Sequence, residues 1–174
     1  MTAPQRLLAA VLTAAVVAAT AAAAVVPAGA ASVRHSPQLW ATINRCLDSS
    51  QRYAVGVRAS MPGVGDRRLR MYLRFQLQYF DVKAKRWRAM GGDADSGFIL
   101  IGNAGFRRRE SGNSFGISKP PAGGAWRLRG RVTFEWRRGR HVVHRARRHT
   151  VGGHPGTRGS RPRGFSAGEC TITK

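Results

Sequence analysis

Ser166 lies in the segment GFSAG (164–168), which matches the Gly-x-Ser-x-Gly pattern around the nucleophilic serine of some hydrolases. That chemistry needs a strand–turn–helix context, and an acid and a histidine that follow the serine in the chain. Here the segment lies in a Gly/Arg-rich stretch, and only ECTITK comes after it. We therefore expect that Ser166 is not a nucleophile.

Closely spaced histidines and aspartates raise the question of a metal site. His141 and His144 stand three residues apart in a predicted strand, so their side chains point to opposite faces. Asp93 and Asp95 have the i, i+2 spacing of some calcium loops, but the segment lacks the further oxygen ligands of such a loop. We expect no metal site at either place, and a turn over 91–97.

The carboxylates give no pair suited to acid–base catalysis. Among the 8 Asp and Glu residues, only Glu135 lies inside a strongly predicted strand, where Arg137 is its neighbour on the same face. We predict a protein that is not an enzyme and needs no cofactor. The alternation of apolar residues places Trp126 and Trp136 in the core, which leaves Trp87 as the candidate for ligand contact.

Arginine is the residue type that the sequence offers in quantity. Lys and Arg number 30, the formal net charge is +22, and only four of the basic residues are lysines. A surface this positive attracts polyanions over long range, most strongly at low salt. The alternative is a compositional origin, because Arg, Ala and Gly share GC-rich codons. The candidate polyanion contacts are Arg68, Arg70, Arg74, Arg127, Arg129 and Arg131.

Two strands must position these arginines. In RLRMYLRFQLQYF (68–80), apolar residues alternate with Arg and Gln at a period of two, which predicts a strand with one buried face. AWRLRGRVTFEW (125–136) shows a similar alternation. The residues expected to point outward are Arg68, Arg70, Arg74, Gln76 and Gln78 on the first strand, and Arg127, Arg129, Arg131, Thr133, Glu135 and Arg137 on the second.

We expect the two strands to be neighbours in one sheet, where like charges that face each other cost stability. Antiparallel pairing avoids part of this cost, because it sets the Gln end of the first strand beside the Arg end of the second. The alternative to a ligand-binding face is a solvated arginine face without a partner.

Short strands between turn signals continue along the chain. PGVGD (62–66), KPPAGG (119–124) and RRGR (137–140) indicate turns. FRRRESGNSFGIS (106–118) is predicted as two short strands around a turn at 111–113. Seven or eight strands predict an all-β fold, an antiparallel β-sandwich or a barrel. The predicted divisions are a signal peptide at 1–30, a flexible leader at 31–38, the sandwich at 39–151 and a Gly/Arg/Pro-rich tail at 152–174.

The first thirty residues have the composition of a secretory signal. A charge at Arg6 precedes an alanine-rich apolar stretch over 7–26. Pro27 ends the stretch, and AGA (28–30) supplies the small residues that signal peptidase needs. We predict cleavage after about Ala30 and an extracellular protein. The alternative is an uncleaved membrane anchor, because roughly 20 apolar residues can span a bilayer.

The two cysteines, Cys46 and Cys170, lie near the ends of the predicted mature chain. In an exported protein, two such thiols most often form a disulfide. Closing so long a loop stabilises the fold by about 4–5 kcal/mol in the chain-entropy model. The alternatives are bridges to another chain or free thiols.

AWRLRGRVTFEWRRGRHVV resembles the penultimate and last strands of fibronectin-type-III or immunoglobulin-like domains. CLDSSQRYAVGVRASMPG, RLRMYLRFQLQYF and the RVTFEW hairpin before a late cysteine resemble a group of exported, largely uncharacterised actinobacterial proteins, over residues 44–150. The resemblance implies an immunoglobulin-like or fibronectin-III-like sandwich and a secreted protein, and it implies no catalytic residues. The tract 152–168 departs from the group, in which the second cysteine follows the last strand closely.

The leading hypothesis for function is a secreted, non-enzymatic binding or structural module that contacts an acidic envelope polymer or another polyanion through an Arg-rich sheet face. One alternative is an envelope enzyme or inhibitor whose site is assembled from distant segments. A second alternative is extracellular nucleic-acid binding by the Arg/Gly-rich tract. Nucleic acid inside the cell is not expected as a partner.

Overall fold

The computed structural model describes residues 33–47, 53–120 and 122–173, in which nine strands form two antiparallel sheets. The predicted all-β sandwich is confirmed, with nine strands where the sequence indicates seven or eight. The small sheet contains β1 (Trp40–Arg45), β2 (Ala54–Pro62) and β6 (Arg108–Gly116). The large sheet contains β3 (Asp66–Asp81), β4 (Arg86–Ala89), β5 (Asp95–Ala104), β7 (Ala125–Arg138), β8 (His141–His149) and β9 (Glu169–Thr173).

The sequence predicts a signal peptide, with an uncleaved membrane anchor as the alternative. The predicted signal peptide at 1–30 lies outside the described residues. Within the described ranges, the structure has no helix of the length and apolar character that crossing a membrane requires.

The long strands β3 and β7 form the centre of the large sheet. They pair from Arg70 opposite Arg137 to Tyr79 opposite Leu128, so the predicted neighbours are indeed paired. Because both strands are long, two shorter strands share each outer side. β4 and β5 pair with different parts of β3, and β8 and β9 pair with different parts of β7.

The alternation in β3 and β7 buries one side of each strand, as predicted. The indole N–H of Trp136 donates to the Pro62 carbonyl at 3.0 Å, which satisfies the polar group that this ring brings into the core. Trp126 is half-buried and meets Tyr79 edge to face at the margin of the core. The buried inner residues are Leu69, Met71, Leu73, Phe75 and Leu77 of β3, and Leu128, Val132, Phe134 and Trp136 of β7.

Gly130 in β7 marks a close approach of the two sheets. A Cβ atom at this position would lie 2.7 Å from Thr150 Cγ2 and 3.0 Å from both methyl groups of Val57 in β2. A larger residue would push β2 away from β7, so the packing of the sandwich requires glycine here.

The segment predicted as two short strands around 111–113 forms one strand, β6, and that prediction is wrong. β6 pairs with β2 along nine consecutive residues, from Ala54 opposite Gly116 to Pro62 opposite Arg108. The backbone hydrogen bonds of this ladder outweigh the turn preference of Ser, Gly and Asn, which the sequence alone weighs locally.

The tract 152–168, which the sequence places in an irregular tail, lies along the edge of β1. Ile43 and Ala167 exchange backbone hydrogen bonds at 2.9 and 3.0 Å. The hydroxyl oxygens of Thr42 and Ser166 are 2.8 Å apart, which gives Ser166 a packing role. The tract therefore covers an edge that would otherwise expose unpaired backbone groups, and it leads the chain into β9.

The predicted disulfide between Cys46 and Cys170 is confirmed. Cys46 directly follows β1 of the small sheet, and Cys170 lies in β9 of the large sheet. Both residues are buried. The bond closes a loop over a sequence separation of 124 and ties the two layers of the sandwich together.

Candidate anion-binding face

The outer side of the large sheet carries the predicted arginines. We call this surface the arginine face and define it by the outward residues of β3 and β7, together with Arg145 and Arg147 of β8. Arg68 and Arg70 lie exposed on β3. The structure thus brings the six predicted contact arginines onto one surface, Arg68, Arg70 and Arg74 from β3 and Arg127, Arg129 and Arg131 from β7.

The register of β3 and β7 sets glutamine beside arginine, as the sequence predicts. Gln78 stands opposite Arg129, and Gln76 stands opposite Arg131. Arg129 Nε donates to Gln78 Oε1 at 2.9 Å, and Arg131 donates from Nε and Nη2 to Gln76 Oε1 at 3.1 and 2.9 Å. These amides orient two guanidinium groups without neutralising their charge.

Asp95, the first residue of β5, neutralises one arginine of the face. Arg74 donates from Nε and Nη2 to the two carboxylate oxygens, and Gln76 Nε2 donates to Oδ2 at 2.6 Å. The hydrogen bonds from Arg74, with smaller contributions from the Gly97 N–H and Gln76, lower the pKa of Asp95 to about 2 although partial burial opposes this. Residues 95–97 of the predicted turn at 91–97 belong to strand β5. Asp95 has a specific electrostatic role, because its carboxylate pairs with Arg74.

We expect Asp95 to make the stability of the protein depend on acid pH. Because its folded pKa lies below the ordinary value of 3.8, its contribution is present above about pH 5 and is lost as the pH falls towards 2. The side chain is 22% exposed, so we expect a contribution of about 1–2 kcal/mol. Urea unfolding of the wild type and Asp95→Asn measures it. The variant should lose stability at pH 7 and less at pH 2; an equal loss at both pH values would contradict this assignment.

Glu135 in β7 is a fully buried carboxylate on the same face. Arg137 Nε donates to Oε2 at 2.6 Å, and Arg145 Nε donates to Oε1 at 2.6 Å. The predicted pairing of Glu135 with Arg137 is thus present, and β8 adds the second arginine. The carboxylate is fully engaged, so its role is to position two guanidinium groups.

Aromatic rings support the arginines at both ends of the face. The Arg137 guanidinium carbon lies 4.3 Å from the Tyr72 ring centroid and 4.4 Å from that of Phe98. The Arg129 guanidinium carbon lies 4.3 Å from the Trp87 centroid, and burial lowers the pKa of Arg129. Such contacts hold a cation in place. Trp87, the predicted candidate for ligand contact, therefore contacts arginine in this structure.

A pocket of about 370 Å³ opens at the centre of the arginine face. Its position follows from one row of residues across four strands, Phe98 of β5, Arg74 of β3, Thr133 of β7 and Arg147 of β8. Thr133 is the short member of this row, so the longer side chains around it leave a depression. Gln76, Arg131 and the Glu135–Arg145 pair complete the lining.

The sequence interpretation missed three contributors to the pocket, Phe98, Arg145 and Arg147. Phe98 begins the apolar run FILIG (98–102), yet it lies on the outer side of the sheet and is 37% exposed. The face to which the β8 arginines point could not be derived, because the pairing of β7 with β8 shifts register between Trp136 and Arg137. One signal was present: Ala146 is the small residue between two arginines, and it is the buried one.

Other candidate chemistry is less developed in the structure. A larger cavity, of about 550 Å³, lies where residues 33–38 meet the turns after β2 and β5, and among the residues that the structure describes Arg107 is the charged one in its lining. His144 packs edge to face on Trp136, and burial lowers its pKa. Across residues 33–47, 53–120 and 122–173, His, Cys, Asp and Glu form no group of three or more that could hold a metal ion.

Comparisons with known proteins identify no family for this chain. No protein-family model matches the sequence, and no curated protein matches it. Among solved structures, the chain is similar to part of a glycosyl hydrolase family 2 member from Bacteroides cellulosilyticus DSM 14838, with 10% sequence identity and a TM-score of 0.34. The similarity covers 65% of this chain and 15% of that structure, and at this level it carries no conclusion about function.

Proposed function

We propose that this protein is a non-enzymatic binding module that contacts polyanions through the arginine face. The observation that carries the proposal is the arrangement of the face itself. Arg129 and Arg131 are held by neutral amides, and Arg137 is held by rings as well as by Glu135. These contacts orient the guanidinium groups but leave part of their charge uncompensated. Such an arrangement suits contact with repeated anionic groups.

The charge balance of the described face supports this proposal. Within the described residues, no carboxylate oxygen lies within 4 Å of a guanidinium nitrogen of Arg129, Arg131 or Arg147. A solvated face without a ligand gains nothing from holding like charges side by side, since their repulsion costs stability. A polyanion relieves that repulsion and releases its own counterions.

We propose further that the protein acts outside the cell, where an acidic envelope polymer is the expected partner. The disulfide supports an oxidising compartment. The composition of residues 1–30, with an apolar stretch and small residues before a cleavage position, supports export. The clamp between the first and last strands accords with an immunoglobulin-like or fibronectin-III-like type of sandwich, which we propose as the finer classification.

Two sets of substitutions, each removing three charges, test the proposal. The face variant carries Arg127→Gln, Arg129→Gln and Arg131→Gln, and the tract variant carries Arg158→Gln, Arg161→Gln and Arg163→Gln. We expect the face variant to bind heparin roughly 10- to 100-fold more weakly than the wild type at low salt, because each positioned ion contact contributes about 0.5–1 kcal/mol. We expect less than about a threefold loss for the tract variant.

Titration calorimetry with heparin oligosaccharides measures both affinities, and urea unfolding checks that both variants are folded. Equal losses in the two variants would show attraction by net charge without a dedicated face. A larger loss in the tract variant would instead favour binding by the Arg/Gly-rich tract, as the nucleic-acid alternative requires.

A further inference from the structure

We propose that the central pocket of the arginine face seats one oxyanion group, a carboxylate or a sulfate, carried as a side substituent by a sugar unit of an acidic glycan. This inference rests on the proposed function and deepens it, because it gives the face a position that distinguishes one polyanion from another. It depends on the pocket's geometry, on its uncommitted polar groups and on the rings around it.

The pocket exists because Thr133 is short. In its row across the sheet, Thr133 stands between Arg74 on one side and Arg147 on the other. Long side chains surround the threonine, so this residue lies at the floor of a depression of about 370 Å³. Thr133 is only 6% exposed, yet its hydroxyl has no hydrogen-bond partner among the residues that the structure describes. A hydroxyl without a partner in the lining of a pocket is available to donate a hydrogen bond to a ligand there.

The guanidinium groups around this floor have a surplus of positive charge. Among the described residues, four arginines line the pocket, and two carboxylates, Glu135 and Asp95, engage two of them, which leaves a surplus of two charges. Arg131 is held by the neutral amide of Gln76, and the Arg147 guanidinium has no partner in the described part of the chain. Arg131, Arg147 and the Thr133 hydroxyl can therefore all donate to one oxyanion.

The shape of the site favours a substituent over a backbone phosphate. A phosphodiester continues into the chain on both sides, whereas a carboxylate or sulfate on a sugar is attached at one point and can enter a depression. Phe98 forms an apolar wall beside the charged groups. Proteins that bind single-stranded nucleic acid also need ring faces for base stacking. Here Arg137 lies over Tyr72 and Phe98, and Arg129 lies over Trp87, so arginines already occupy faces of these rings.

A substitution that adds charge while filling the pocket separates this inference from simple attraction. Thr133→Arg raises the net charge by one and fills the depression. Thr171→Arg is its matched control, because Thr171 lies exposed on β9 opposite Arg127, on the same face but away from the pocket. We expect Thr133→Arg to weaken oligosaccharide binding about tenfold, and Thr171→Arg to leave it unchanged or up to threefold tighter.

Three probes of equal charge identify the group that binds: a heparin hexasaccharide, an oligogalacturonate that carries carboxylates alone, and a single-stranded oligodeoxynucleotide. If the heparin hexasaccharide binds more tightly and loses more affinity in Thr133→Arg, the bound group is a sulfate. If the oligogalacturonate does so, the bound group is a carboxylate. Thr133→Val keeps the shape and removes the hydroxyl, so a loss of about threefold to tenfold supports the inference even if Thr133→Arg fails to fold.

Each contrary outcome has a separate meaning. If Thr133→Arg binds the oligosaccharides as tightly as the wild type or more tightly, the pocket inference is overturned and the proposed function stands. If the oligodeoxynucleotide shows the same tenfold loss, the pocket holds a backbone phosphate and the glycan assignment is wrong. If the wild type binds none of the three probes, the proposed function itself is refuted.

Discussion

Replacing both cysteines, Cys46→Ala with Cys170→Ala, should lower the free energy of unfolding by about 4–5 kcal/mol. The disulfide closes a loop over a sequence separation of 124, so its loss restores a large conformational entropy to the unfolded chain. Both side chains are buried, and alanine avoids placing a hydroxyl in the core. Urea unfolding of the oxidised wild type and the double variant gives the difference.

The site of the bond adds a local consequence. β9 has five residues and pairs only with β7 among the described strands, so the disulfide at Cys170 is an important part of its attachment. We expect amide hydrogen exchange in the double variant to accelerate first in β9 and in the tract before it. Wild type that has been reduced and alkylated serves as a second comparison. A loss below about 1 kcal/mol, or uniform exchange across both sheets, would contradict this account.

Glu135→Gln should lower the free energy of unfolding by about 2–4 kcal/mol. Glu135 is fully buried and accepts charged hydrogen bonds from Arg137 and Arg145, so the variant leaves two guanidinium groups without their counter-charge. Arg145 is half exposed and regains water, which places the expected loss below the largest values for buried ion pairs. Thermal and urea unfolding measure the effect.

The matched control for this substitution is Glu169→Gln. Glu169 pairs with Arg127 at 2.6 Å, but both side chains are largely exposed, so this loss should be below about 1 kcal/mol. Equal losses for the two variants would show that burial of Glu135 does not strengthen its ion pairs. Glu135→Gln should also weaken heparin binding modestly, since Arg145 then loses its fixed position beside the pocket.

The sequence predicts the buried and outward faces of a strand wherever the alternation of apolar and polar residues is complete within that strand. The alternation in β3 and β7 separates buried from outward residues, because a period of two fixes the faces of a strand without knowledge of its neighbours. Antiparallel order also predicts that the Gln end of β3 lies beside the Arg end of β7. The individual pairs, Gln76 with Arg131 and Gln78 with Arg129, depend on a register that the sequence does not fix.

The pocket could not be predicted in the same way, because it depends on four strands at once. Phe98, Thr133 and Arg147 meet only when the registers of β5, β7 and β8 are all fixed, and shifts in pairing interrupt two of the ladders involved. The tract 152–168 shows a related limit. Its position depends on single contacts such as Thr42 with Ser166, which leave no periodic signal in the sequence.

The salt dependence of heparin binding tests the central claim most directly. The logarithm of the association constant falls linearly with the logarithm of salt concentration, by about one unit of slope for each cationic contact. We predict that the slope of the face variant is smaller than that of the wild type by about two to three units, and that the slope of the tract variant is unchanged. Equal slopes for the face variant and the wild type would contradict a binding role for the arginine face.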